Sequence, residues 1–193
     1  PENYRLGPGD EVIIDVWGAS QNTMRLGISP DGYVNIDNVG PVFLSNMTIK
    51  EARQLLKQEL GKIYADSGNH IQVTLGNIRT IQVNVMGEVM APGTYALSSL
   101  STVFHALYVA GGVSDIGSLR NVQVARGGKT FARLDVYEYI MKGQILDDIR
   151  LQDGDVVIVP TYDELVKITG KVKRPMFYEM KNGESAATLL KYA

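Results

Sequence analysis

Cysteine is absent from the 193 residues. That excludes a disulfide framework, a thiolate metal site and a cysteine nucleophile. Histidine occurs only as His70 and His105, with no second histidine three or four residues from either, so a helical His-x-x-x-His metal site is excluded. His105 is expected to be a partly buried structural residue on a helix. Long apolar runs are missing as well, and nothing approaches the roughly 18–20 residues that cross a bilayer as a helix. Basic charge is not in excess. The 19 Lys and Arg stand against 21 Asp and Glu, a net charge of −2, so nucleic acid is not expected as a partner. Neither a Met nor a signal peptide precedes Pro1, so an N-terminal segment is expected to have been removed, with any membrane anchor outside these residues.

Catalytic motifs are missing in the same way. There is no Gly-x-Ser-x-Gly elbow, no Rossmann glycine pattern and no recognisable Ser/His/Asp order. Gly128-Lys129-Thr130 imitates the end of a phosphate-binding loop, but Gln123 stands where that loop needs a glycine, and short strands are expected on both sides. No catalytic residue, cofactor or metal is assigned, and an enzyme is not expected. What remains is an average composition, 45% hydrophobic and 21% charged, sufficient for one or two ordinary cores.

The positive signal is an internal repeat. Val85-Met86-Gly87-Glu88-Val89-Met90-Ala91-Pro92-Gly93-Thr94-Tyr95, shifted by 83 residues, falls without a gap on Ile168-Thr169-Gly170-Lys171-Val172-Lys173-Arg174-Pro175-Met176-Phe177-Tyr178. Gly87 meets Gly170, Pro92 meets Pro175, Tyr95 meets Tyr178 and Ala110 meets Ala193. A fixed period defines a structural unit, here a module of about 80 residues whose second copy stops part-way. The chain is therefore expected to be a fragment. The recurring tyrosine argues first for packing, although the ten tyrosines could also stack on sugars. The patch Lys171-Val172-Lys173-Arg174 is expected on a hairpin strand, protecting an exposed edge rather than meeting an anionic glycan.

A second phrase recurs too. Leu6-Gly7-Pro8-Gly9-Asp10 and Leu151-Gln152-Asp153-Gly154-Asp155 each precede a β-branched run, and Asp10 and Asp155 are expected to bond turn amides where a strand begins. Pro30-Asp31-Gly32 is expected to close a hairpin between 24–29 and 33–37. Thr48 and Glu51 form a capping box ahead of Ile49, Ala52, Leu55, Leu56, Leu60 and Ile63, the stripe of an amphipathic helix ending near Tyr64. Its Lys50, Arg53, Lys57 and Glu59 face is expected to be solvated, and Asp66-Ser67-Gly68-Asn69 is a loop. Strands are expected at 71–75, 81–85, 94–97 and 155–159, and a hairpin about Gly127-Gly128. Ser101 is expected to cap a helix that Gly111 and Gly112 end, and 135–141 to be a short helical turn. The order within the module is that of a β-grasp.

These residues resemble a known family. Tyr4 to Asp10, Val16-Trp17-Gly18, Ser29 to Tyr33 and Val39-Gly40 are similar to the polysaccharide export domain of Wza-type outer-membrane proteins. Val85 to Tyr95, Ala110-Gly111-Gly112 and Gly154-Asp155-Val156-Val157 resemble the SLBB module that follows it. The resemblance implies an α+β fold: an export domain over 1–79, an SLBB β-grasp domain over 80–164 and a truncated second module over 165–193. The family-motif residues, all structural, are Gly7, Gly9, Asp10, Trp17, Pro30, Asp31, Gly32, Gly40, Gly87, Pro92, Gly93, Tyr95, Gly111, Gly112, Gly154, Asp155, Gly170, Pro175 and Tyr178.

It further implies the periplasmic part of a Gram-negative outer-membrane channel for capsule or exopolysaccharide. Such a channel is a homo-oligomeric ring whose lumen passes the polysaccharide, with an inner-membrane co-polymerase as partner. Members are often lipoproteins, and the outer membrane would be reached through segments absent here. The alternative is a soluble glycan- or small-ligand-binding β-grasp module of the envelope. The sequence departs from the family pattern in having Met176 where the first copy has Gly93, and the incomplete second module is expected to be disordered or to pair with another chain.

Overall fold

A computed structural model describes residues 2–18, 21–64, 70–142 and 149–193. The predicted loop 66–69 lies outside the described residues. The chain forms two compact units, Pro1–Thr80 and Ile81–Ala193.

In the first unit, β1 (Glu11–Trp17), β2 (Asn22–Gly27), β3 (Tyr33–Ile36) and β4 (Gly40–Phe43) precede α1 (Ile49–Gly61) and β5 (His70–Leu75). The strand β1 is central, antiparallel to both β2 and β5. Its alternation puts Val12, Ile14 and Val16 inside. The α1 stripe buries Ile49, Ala52, Leu56 and Leu60, whereas Ile63 is exposed beyond the helix end. Each large aliphatic side chain buried this way contributes roughly 1.5–3 kcal/mol. The capping box is formed: the Glu51 amide donates to Thr48 Oγ1 and the Thr48 amide to Glu51. An N-cap is worth about 1 kcal/mol, so packing outweighs capping here. Arg53 corrects the expected solvated face, since its Nε donates to the Val73 carbonyl of β5 at 3.2 Å.

The Pro-Asp-Gly hairpin needs a correction too. The turn exists: the Gly32 amide donates to Ser29 O, and Gly32 has φ +88°. The strands it separates do not pair with each other along a ladder. β2 pairs with β1, and β3 pairs with β4 through a later turn with Asn38 and Gly40 both in positive φ. Asp15 accepting from the Thr23 hydroxyl at 2.7 Å, and Glu11 paired with Arg25, hold β2 on β1.

The second unit contains β6 (Thr80–Gly87), β7 (Gly93–Ser98), α2 (Val103–Val109), β8 (Val122–Arg126), β9 (Lys129–Leu134), α3 (Val136–Lys142) and β10 (Val156–Val159), then β11 (Glu164–Ile168), β12 (Met176–Met180) and α4 (Ala186–Leu190). The five-stranded order β7-β6-β10-β8-β9, with β10 parallel to β6, is that of a β-grasp. Ile81, Val83, Val85, Val124, Val157 and Val159 face Val103, Ala106 and Leu107 of α2 in one core. Gly111 and Gly112 end α2, their amides donating to Tyr108 O and Leu107 O. Ser101 does not cap that helix. Thr102 is the N-cap without a side-chain bond, and Ser101 Oγ instead meets Nδ1 of His105 at 2.8 Å, on a side chain more exposed than expected.

The 83-residue repeat is visible in hydrogen bonds. Val89 N donates to Gly87 O and Val172 N to Gly170 O; Ala91 N donates to Ala110 O and Arg174 N to Ala193 O. The Tyr95 and Tyr178 hydroxyls each donate to the carbonyl four residues earlier. β11, β12 and α4 thus repeat β6, β7 and α2, and Met176 begins β12 as Gly93 begins β7. The basic patch 171–174 lies in the connection rather than on a strand, because the turn at Gly170 (φ +104°) separates it from β11.

The two equivalent glycines differ in surroundings. A Cβ at Gly87 would collide with the Val159 carbonyl of β10, while at Gly170 nothing lies within 4 Å. Both have positive φ, which alone costs a side chain roughly 1–2 kcal/mol. We therefore predict that Gly170→Ala costs about 1–2 kcal/mol, and Gly87→Ala about 3 kcal/mol or more. Urea unfolding measures both, and equal losses would contradict the collision.

Candidate functional site

Three polar arrangements organise the two units, all built around arginines. The first two are one motif used twice. Asp10 and Asp155 are both fully buried. Asp10 accepts from the Gly7 amide at 2.9 Å, and Asp155 from the Gln152 amide at 2.7 Å, each three residues back in a turn whose glycine, Gly9 or Gly154, has positive φ. Burying a carboxylate is costly unless it is paired and hydrogen-bonded. The guanidinium of Arg79 pairs with Asp10, whose other oxygen takes the Arg79 amide at 2.8 Å, and the Tyr4 hydroxyl also donates to Asp10. Arg126 grips Asp155 bidentately, with Nε at 2.8 Å and Nη2 at 2.7 Å, and the bond pushes the Arg126 pKa up. Neither arginine was expected from the sequence.

The third arrangement joins β12 and α4 to the first module. Arg120 is buried, and its guanidinium donates to Asp135 and Glu184 and to the Glu179 carbonyl at 3.1 Å. It lies over the rings of Tyr137 and Tyr192, 5.0 and 5.2 Å from their centroids. The Glu179 carboxylate, also buried, accepts from the Ser118 hydroxyl and from the Leu119 and Arg120 amides. Lys181 Nζ reaches Asp135 at 2.6 Å. Through these bonds residues 165–193 fold against their own chain, which overturns the expectation of disorder. The signal for them was a departure from the repeat: Glu179 and Glu184 stand 83 residues after Ala96 and Ser101.

Beside this junction lies a cleft of about 590 Å³ between the loop at 113–119, α3 and the β11–β12 hairpin. Tyr137, Tyr178 and Tyr192 are its more buried rings, and Phe177 is exposed in it. The other predicted motif residues are spread through both units. Trp17 is 41% exposed at the end of β1, its ring 5.9 Å from that of His70. Pro30, Asp31 and Gly32 are turn residues of the first unit, Gly40 begins β4, and Pro92 and Pro175 lie in the connections that lead into β7 and β12. Among the described residues no cluster of His, Cys, Asp or Glu could hold a metal ion, and no helix is long and apolar enough to cross a membrane.

Residues 1–85 match the family of polysaccharide biosynthesis/export proteins, and residues 81–159 match the SLBB domain. Through these two segments, each under half of its length, the chain is similar to the polysaccharide export family. Two curated relatives, both polysialic acid transport protein KpsD of Escherichia coli, are 26% identical to it over 187 residues, 96% of this chain and 33% of theirs. The chain thus spans about a third of the length of these relatives. The Gly-Asp turns fall one in each matched segment, Asp10 in the first and Asp155 in the second.

Two outcomes follow for these arginine sites. Asp10→Asn and Asp155→Asn each remove the charge that Arg79 or Arg126 faces and turn a donor toward an amide donor. Each is expected to cost about 2–4 kcal/mol in urea unfolding; wild-type stability in either would show the pairing to be dispensable. At the junction, Arg120 holds the Glu184 carboxyl below the usual range, through its hydrogen bond first and the Lys181 amide bond in addition. A depressed carboxylate stabilises the fold fully above its unfolded pKa, about 4.3, and that contribution is lost as pH falls through the lower folded value. The stability gap between wild type and Glu184→Gln should therefore be greatest near neutral pH and close on acidification. A gap independent of pH would remove the ion pair from the account.

Proposed function

We propose that this chain is the periplasmic part of an outer-membrane polysaccharide export channel, a structural and non-enzymatic subunit of a ring-shaped homo-oligomer. The observation that carries the reading is the succession along one chain of an export segment, an SLBB module and the repeated opening of a second module. On this reading the parts are the export domain at 1–79, the SLBB domain at 80–164 and the partial second module at 165–193, and the glycine, proline and aspartate motif residues shape their turns. Rings of these domains would stack around a hydrated lumen through which capsular or exopolysaccharide passes. An inner-membrane co-polymerase would supply the chain, and segments outside these residues would reach the outer membrane of a Gram-negative cell. The arginine junction supports this role, since stacked rings need a set angle between successive modules. Ring closure requires a heterologous interface, one face of each subunit meeting a different face of the next.

One observation favours a second reading, a soluble glycan- or small-ligand-binding module of the envelope: the aromatic cleft beside Arg120. Single-particle imaging of the full-length mature protein in detergent separates the two. Closed rings with a central channel are expected, and particles that stay monomeric at every concentration would overturn the channel.

A further inference from the structure

We propose that the cleft between the first SLBB module and the β11–β12 hairpin is a saccharide-binding site that holds a short pyranose segment. The inference rests on the proposed function for its ligand class, a polysaccharide, and on the cleft for everything else. Its size, about 590 Å³, lies within the roughly 300–1,000 Å³ of small-molecule sites, which are mostly apolar with a few placed polar groups. Five of its sixteen described lining residues are aromatic, against 8% of the whole chain. That enrichment matters because a pyranose presents flat C–H faces, and an aromatic ring offers a flat apolar surface to receive them.

Not every ring is available. Tyr137 carries the Arg120 guanidinium on its face and meets Tyr178 and Tyr192 edge-on, so these three rings serve the junction. Phe177, 57% exposed with Lys167 Nζ 5.6 Å from its ring centroid, and Tyr162, half-buried, keep ring surface for a ligand. The polar groups divide in the same way. Glu179 is taken up by Ser118, Leu119 and Arg120. Among the described residues Arg174 and Asp115, both exposed in the cleft, have no ion-pair partner. One offers only donors and the other only acceptors, the pair that sugar hydroxyls can satisfy together. Neighbouring Met141, Leu165 and Met176 extend the apolar wall and are themselves exposed.

The test is titration of the 193-residue protein with maltohexaose and with a sialic acid oligomer, followed by amide chemical shifts. Saturable binding of at least one probe is expected, with a Kd of about 1 mM and shifts confined to 113–119, 137–141, 162–165 and 174–179. Phe177→Ala and Tyr162→Ala should each weaken it at least about tenfold, while Tyr108→Ala, an exposed aromatic outside the cleft, should not. The wild-type shift map decides the matter even if a variant fails to fold. Binding of neither probe would overturn the site, as would shifts elsewhere or equal weakening by Tyr108→Ala. Concentration-dependent self-association through these residues, without sugar binding, would assign the cleft to a protein partner and overturn it too. The titration needs no assembly. Rings without sugar binding would therefore refute the cleft alone, and sugar binding without rings would refute the channel alone.

Discussion

A buried aspartate at the start of the central strand is the constraint on which both sheets depend. β1 lies between β2 and β5, β10 lies between β6 and β8, and each begins directly after its Gly-Asp turn. A carboxylate taken out of water must be satisfied on several sides or it destabilises the fold. Here the turn amide satisfies one side and an arginine satisfies another. The turn can form without the arginine, but the buried charge could not stay there. Each central strand therefore has its first residue pinned to a fixed point. Its neighbours inherit their register from it, because side chains alternate and a slip of one residue would turn Val12, Ile14 and Val16, or Val157 and Val159, outward.

Repetition explains the second unit only as far as the hairpin. β11, β12 and α4 reproduce the turns and the tyrosine bond of β6, β7 and α2, yet two strands and a short helix are too little to hold themselves. They are held by Arg120, which stands in the first module and spends its donors on Asp135, Glu179 and Glu184. Of these, Glu179 and Glu184 sit where the first module has Ala96 and Ser101. The module has thus kept its fold and changed its edge, giving up small residues to gain a docking surface. A buried, planar, multiply bonded arginine defines one relative orientation far better than an apolar contact would.

Among the described residues no group of His, Cys, Asp or Glu could hold a metal ion. Aromatic rings, an arginine and an aspartate surround one cleft.

Local rules made much of this legible beforehand. The capping box at Thr48 and Glu51, the Gly127-Gly128 hairpin, the Gly111-Gly112 helix stop and the 83-residue period each depend on residues close in sequence or on direct self-comparison. What the residues could not disclose involved partners far along the chain. Asp10 meets Arg79 from 69 residues away, and Arg120 meets Glu184 across 64. The same distance effect moved the Pro-Asp-Gly strands to other partners, since a turn sets the direction of the chain but not which edge it finds. By itself the sequence determined the repeating unit, the Thr48 cap, the Gly111-Gly112 helix stop and the tight turns, because these are settled by backbone conformation and short-range hydrogen bonds. The tertiary structure alone decided which arginine neutralises which carboxylate and where the aromatic cleft opens, because burial and the pairing it demands exist only once distant segments are packed together.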